Sequence, residues 1–249
     1  MCGISGIYSI EKKPLNKRIE AMNSSIAHRG PDSEGYYLTS KLALAHKRLS
    51  IIDVRSVSNQ PMKSNCDRLI LVFNGEIYNY KEIKKQLLYD FKTNSDTEVV
   101  LASIKENGID WFLKIANGMF SIALFDELDN TLTLIRDRLG IKPLYIYNDG
   151  VNFIFSSEIK GILSSGLVKA ELEENAIDEY LANRYVREPF TFFKNIYQLE
   201  SGNYLTIDNQ LITKSVKYWD LPTSFNNDKK NDEEQISKDF KFELEKAIN

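Results

Sequence analysis

The sequence predicts an α+β fold in which antiparallel sheets are covered by helices. Three features carry that expectation. Segments with strand character follow one another through turn signals at Asp129-Asn130, Asn148-Asp149-Gly150 and Asp208-Asn209. Helical periodicity is inserted singly between strands instead of alternating with them, which disfavours βαβ units. Residues 69–73, Leu-Ile-Leu-Val-Phe, are apolar throughout, as expected of a strand buried on both faces.

The first strand is read over residues 2–8, where Ile4 and Ile7 stand among glycines that permit close backbone approach. A helix follows with Leu15, Ile19, Met22 and Ile26 on one face, and His28-Arg29-Gly30-Pro31-Asp32 breaks it. Strands are expected near 35–39, 42–46 and 69–73, the last ending in a tight turn at Asn74-Gly75. Helices are expected at 80–89 and 97–107. Ser95 and Glu98 have the spacing of a capping box for the second, with Ser95 at the N-cap and Glu98 at N3. Strands near 119–126, 131–136, 144–147 and 153–156 lead to short helices at 157–163 and 175–184. A hairpin of 203–207 with 211–218 closes the pattern.

The chain has 249 residues, 43% hydrophobic and 27% charged, with a formal net charge of −3. This is a globular composition with room for one large or two small domains. The slight acidity gives no reason to expect nucleic acid or an anionic membrane as partner. No apolar run reaches the about 18 residues of a membrane span, and no secretory leader pattern opens the chain. Two cysteines, Cys2 and Cys66, make no disulfide framework and point to a reducing cytoplasm. With His28 and His46 they total four potential zinc ligands, but without the close pairs of a structural site, so no metal is expected. Beyond Pro222 the run 226–232 is polar and reads as a linker. Ile236, Phe240 and Leu244 then fall at helical spacing, with little chain left to cover them. The expected organisation is one domain over 1–222, with 223–249 a linker and the first helix of a truncated second domain.

The chemistry is read from Cys2. Removal of Met1 places a thiol and a free α-amine on one residue. The amine titrates near ~7.7–8.0 and the thiol near ~8.5, so the amine can take the thiol proton. By itself Cys2 reads rather as a buried core residue of a strand that starts early. A nucleophile for acyl transfer needs donors for an oxyanion and ligands for the ends of its substrate. The Asn74 amide and the Gly75 N–H supply the donors, although Asn-Gly alone is a turn. Arg48 offers a planar fork for a carboxylate, or else a packed surface stem. Asp96 stands in the first turn of a helix whose cap is already served, which leaves it for an ammonium group or for the helix dipole. In conjunction these describe a site for an amino acid with a reactive side-chain carbonyl.

Together the residues resemble the class II (N-terminal nucleophile) glutamine amidotransferases, most closely the glutaminase half of glutamine-hydrolysing asparagine synthetases. The matching stretches are Met1-Cys2-Gly3-Ile4, His28-Arg29-Gly30-Pro31-Asp32, Arg48-Leu49-Ser50-Ile51-Ile52-Asp53, Asn74-Gly75-Glu76-Ile77-Tyr78-Asn79 and Ser95-Asp96-Thr97-Glu98. Arg136-Asp137-Arg138-Leu139-Gly140-Ile141-Lys142-Pro143-Leu144-Tyr145 and Ser157-Glu158-Ile159-Lys160 continue them in the family's order. The resemblance implies a four-layer αββα sandwich of N-terminal nucleophile hydrolase type. It implies that Cys2 attacks the amide of L-glutamine, that Asn74 and Gly75 hold the oxyanion, and that Arg48 binds the α-carboxylate. Asp96 and Glu76 would bind the α-amine side, and the Ile51-Ile52 backbone would line the pocket. No cofactor is implied for this domain. ATP and Mg would belong only to a synthetase domain in cis, whose Ser-Gly-Gly-x-Asp-Ser loop is not found here. A homodimer is compatible with the family, and a cytoplasmic location is expected. Two alternatives stand beside this: a glutaminase serving another acceptor, such as a sugar or other carboxylate, and a catalytically silent regulatory or dimerisation domain.

Overall fold

A computed structural model of the chain describes residues 1–222 and 233–248, so the linker expected at 226–232 lies outside the described residues. The larger unit, Met1–Trp219, carries two six-stranded antiparallel sheets. The first is built from β1 (Gly3–Ser9), β2 (Ser33–Leu38), β3 (Leu42–Arg48), β8 (Tyr145–Asn148), β9 (Asn152–Ser156) and β10 (Ile196–Gln198), in the order β10-β8-β9-β1-β3-β2. The second contains β4 (Met62–Lys63), β5 (Leu69–Ile77), β6 (Gly118–Asp126), β7 (Thr131–Arg136), β11 (Asn203–Ile207) and β12 (Thr213–Lys217), in the order β12-β11-β7-β6-β5-β4.

Alternation along the strands produces the layering. In β5, Ile70 and Val72 turn to the first sheet and join Ile4, Leu44, Phe125 and Phe155 in the central core. Leu71 and Phe73 turn the other way, against Val99, Leu101 and Phe112 of α3 (Asp96–Asn107) and α4 (Ile109–Ile115). On the outer face of the first sheet, Ile7 and Ile154 pack on Ile19 and Met22 of α1 (Asn16–Ser25) and on Ile162 of α5 (Ile159–Ser164). Helices, sheet, sheet and helices make the expected four-layer αββα sandwich. The apolar strand at 69–73 is buried on both faces, as its composition predicts.

The structure corrects three expectations and adds a helix. Asn74-Gly75 is not a turn: β5 runs on to Ile77, with Asn74 opposite Ser121 and Gly75 opposite Phe120. The glycine answers a close approach, since a Cβ there would stand 2.3 Å from the Met119 carbonyl oxygen. The capping box at α3 is half made. Ser95 Oγ accepts from the Glu98 N–H (3.3 Å), but the Ser95 N–H donates to Thr93 Oγ1 and Glu98 serves Lys92 and Thr93 instead. The helix expected at 80–89 is only α2 (Tyr80–Lys84). Helix α4 was not foreseen, because seven residues after Gly108 are too few to establish a helical period.

The second unit, Asp220–Asn249, contains a helix over Glu233–Ile248, in which Ile236, Phe240 and Leu244 are exposed. Among the described residues, no helix is long and apolar enough to cross a membrane.

Candidate active site

Strand β4 pairs with β5 only at Leu71 and Ile70, so from Phe73 onward that edge of β5 has no neighbouring strand among the described residues. On its other side, β6 runs beside β5 as far as Ile77. Within that ladder Phe120 turns to Asp137, accepting from its N–H (2.9 Å) and donating to its carboxylate (3.1 Å). Hydrogen bonding in an antiparallel ladder alternates, so Gly75, opposite Phe120, turns its N–H to the open edge. Residues 73 and 77 have the same orientation, and both are served there by side chains. The Phe73 N–H donates to Gln60 Oε1 (2.6 Å) and the Ile77 N–H to Asp96 Oδ2 (3.1 Å). The Gly75 N–H stands between them at a cavity of about 160 Å³.

All eight residues expected from sequence line that cavity: Cys2, Arg48, Ile51, Ile52, Asn74, Gly75, Glu76 and Asp96. Asn74 is 1% exposed, and its Nδ2 has no hydrogen-bond partner. A buried donor left unpaired costs about 1–3 kcal/mol, a cost that a ligand oxygen arriving in the cavity would remove.

Cys2 precedes β1, and its Sγ accepts from the Leu49 N–H (3.4 Å) and lies 3.6 Å from the Leu49 carbonyl oxygen. Burial pushes the thiol pKa up. The Leu49 N–H, the chain's ammonium terminus and Arg48 pull the other way. The backbone of Cys2 is held by the motif at 28–32, with Arg29 Nε donating to the Cys2 carbonyl (2.9 Å) and Arg29 Nη1 to Glu158 (3.0 Å). Gly30 lets this turn lie on β3, since a Cβ there would fall 2.3 Å from the Lys47 carbonyl carbon.

Arg48 ends β3 as a buried residue, not a surface one. Its guanidinium donates to the Arg55 carbonyl (3.1 Å), to Asn59 Oδ1 (2.7 Å) and to the Asp53 carbonyl. These bonds take three of the five donors of the fork and fix its plane. The Asp53 carboxylate accepts from the Asn94 N–H (2.9 Å) and from Arg55 (2.5 Å), ties the loop of Ile51 and Ile52 to the head of α3, and is held well below the usual carboxylate range chiefly by Arg55.

Asp96 is 5% exposed, and burial raises its pKa to about 6 despite the N–H groups of Ile77 and Thr97. Its folded-state value lies above the unfolded one, so ionisation disfavours the fold. The penalty is absent below about pH 4, grows as pH rises towards 6 and is complete above it, at on the order of 3 kcal/mol. Asp96→Asn is therefore expected to raise Tm at pH 7.5, with the gain vanishing near pH 4 in thermal melts at both values.

Sequence reasoning missed Gln60, Asp53 and Lys142, which also line the cavity. Lys142 had a signal in the charged stretch that begins at Arg136, which the resemblance matches without giving it a role, and Arg136, Asp137 and Lys142 are buried. They form a buried frame. Arg136, 2% exposed, donates to the carbonyls of Gly140 (2.7 Å), Lys142 (3.0 Å) and Leu199 (2.5 Å) and to Glu188 (2.8 Å). The Asp137 carboxylate gathers the N–H groups of Phe120, Leu139, Ile141 and Lys142. The frame presents the Lys142 ammonium, its pKa lowered by burial, 3.2 Å from the Met1 sulfur.

A cysteine at the head of the first strand of an αββα sandwich thus faces a cavity with an unpaired amide donor. A family model described as the glutamine amidotransferase domain matches residues 1–219, and the chain belongs to that family. It is 37% identical over 243 residues to a putative glutamine-hydrolysing asparagine synthetase 2 of Methanocaldococcus jannaschii, covering 89% of this chain and 47% of that protein. It is 38% identical over 235 residues to asparagine synthetase 2 of Bacillus subtilis, covering 89% of this chain and 31% of that one. The chain thus spans half or less of the length of these relatives. In fold it resembles the glutamine phosphoribosylpyrophosphate amidotransferase of B. subtilis, with a TM-score of 0.66 at 21% identity, over 88% of this chain and 49% of the other.

Proposed function

We propose that the domain hydrolyses L-glutamine to glutamate and ammonia. The observation that carries this reading is the convergence on one cavity of the Cys2 thiol, the unpaired Asn74 amide, the Gly75 N–H, the Arg48 fork and the Asp96 carboxylate. The thiol attacks the side-chain carbonyl. Its proton passes to the α-amine of Cys2 and from there to the departing ammonia, leaving a glutamyl thioester that water cleaves by the reverse sequence. Asn74 Nδ2 and the Gly75 N–H stabilise the oxyanion. Arg48 takes the α-carboxylate, Asp96 and Glu76 the α-ammonium, and the Ile51-Ile52 backbone closes one wall.

While Met1 remains attached, the nitrogen of Cys2 is a peptide amide and accepts no proton. Removal of Met1 therefore belongs to the reading. The names of the relatives support a wider role, in which the ammonia passes to a synthetase domain in cis that makes asparagine in the cytoplasm. ATP and Mg would be required there and not in this domain, and a homodimer is compatible with it. Intact mass combined with a glutamate-release assay tests the core reading. Protein lacking Met1 is expected to turn over glutamine, and protein retaining it is not. A folded, Met1-free sample without turnover would favour a regulatory or dimerisation domain.

A further inference from the structure

We propose that His46 and Gln60 are positioning residues for the oxyanion donors, a clamp that keeps the edge of β5 open at Gly75 and sets the direction of the Asn74 amide. The inference rests on the glutaminase reading and adds to it two residues that touch no reacting atom.

Backbone groups on the open edge of β5 need partners. A full-length β4 would satisfy all of them, Gly75 included, and would close the cavity. Side chains serve the edge selectively instead. The N–H of Phe73 goes to Gln60 Oε1 (2.6 Å), and the carbonyl of the same residue accepts from His46 Nε2 (3.2 Å). That carbonyl belongs to the peptide unit whose nitrogen is Asn74's own, so fixing its plane fixes the direction in which the Asn74 side chain leaves the strand.

Both clamp residues are anchored on elements that carry the rest of the site. His46 is fully buried on β3, two residues before Arg48 and on the same face of the strand. One strand thus places the fork for the carboxylate and the support for the oxyanion donor. The other end of Gln60 donates from Nε2 to Thr97 Oγ1 (3.3 Å), beside Asp96 on α3. The imidazole must carry its proton on Nε2, since a carbonyl only accepts. Its Nδ1 has no partner, and burial, with Arg48 adding to it, lowers the pKa to about 3 and keeps the ring neutral.

The test compares His46→Leu, His46→Gln and Gln60→Leu with the unaltered, Met1-free protein. Misplacement of a catalytic donor by a fraction of an ångström costs on the order of 10–100-fold in rate. His46→Leu and Gln60→Leu are expected to lose that much in kcat, with KM for glutamine within about threefold, because the oxyanion exists only in the transition state. His46→Gln, whose side-chain N–H can still reach the Phe73 carbonyl, should recover most of the loss. Alkylation of Cys2 by iodoacetamide should proceed at the unaltered rate, and amide exchange at residues 73–77 should accelerate in the leucine variants. A folded His46→Leu protein with unchanged kcat and exchange overturns the clamp. So does a kcat loss matched by an equal fall in alkylation, which would mean that the whole site has collapsed. If the unaltered protein releases no glutamate, the glutaminase reading fails separately, and the exchange measurement alone decides whether His46 and Gln60 hold this edge.

Discussion

Cys2→Ala is expected to reduce glutamate release to background while the protein remains folded. The substitution removes one sulfur from a partly buried position whose polar contacts are two long ones to Leu49, so little of the packing depends on it. It also removes the atom that forms the acyl bond in the proposed reaction. Loss of a covalent nucleophile costs hydrolases on the order of 10⁶ in kcat, and no other side chain on the cavity offers a thiol. A coupled glutamate assay on samples matched by thermal melt reads the result, and retained turnover would remove Cys2 from the mechanism.

Asn74→Ala is the second large effect, and it separates rate from stability. Deleting one preorganised donor to an oxyanion lowers kcat by about 10²–10³. KM should hardly move, because the ground-state amide does not need this donor. Thermal stability should also hold. The lost packing is small, and the deletion takes away a buried amide nitrogen that no protein group satisfies. Steady-state kinetics and a melt on the same preparation check both halves. An Asn74→Ala protein that melts far lower would make the residue part of the scaffold.

The layering was legible because it follows from composition and periodicity. A strand apolar throughout must be covered on both sides, and Leu15, Ile19, Met22 and Ile26, all buried, announce a helix lying on a sheet. The site residues were legible as types: a thiol, a fork, a carboxylate and an amide. Their supports were not. Asn74-Gly75 reads as a turn in any local grammar, and only the close passage of β6 reveals why the glycine sits inside a strand. Gln60 and His46 are ordinary polar residues until the short β4 exposes the edge they serve. Asp137 stood in a matching motif without a role of its own, because that role depends on amides up to 17 positions away in sequence.

The Cys2 sulfur stands just ahead of β1 and the Arg48 fork ends β3, whereas Asn74 and Gly75, the donors of the proposed oxyanion site, lie on β5 of the opposing layer. The hydrophobic filling between them, from Ile4 and Leu44 on one side to Ile70 and Val72 on the other, therefore acts as a spacer gauge as well as a source of stability. Its thickness fixes the gap across which the proposed reaction would occur.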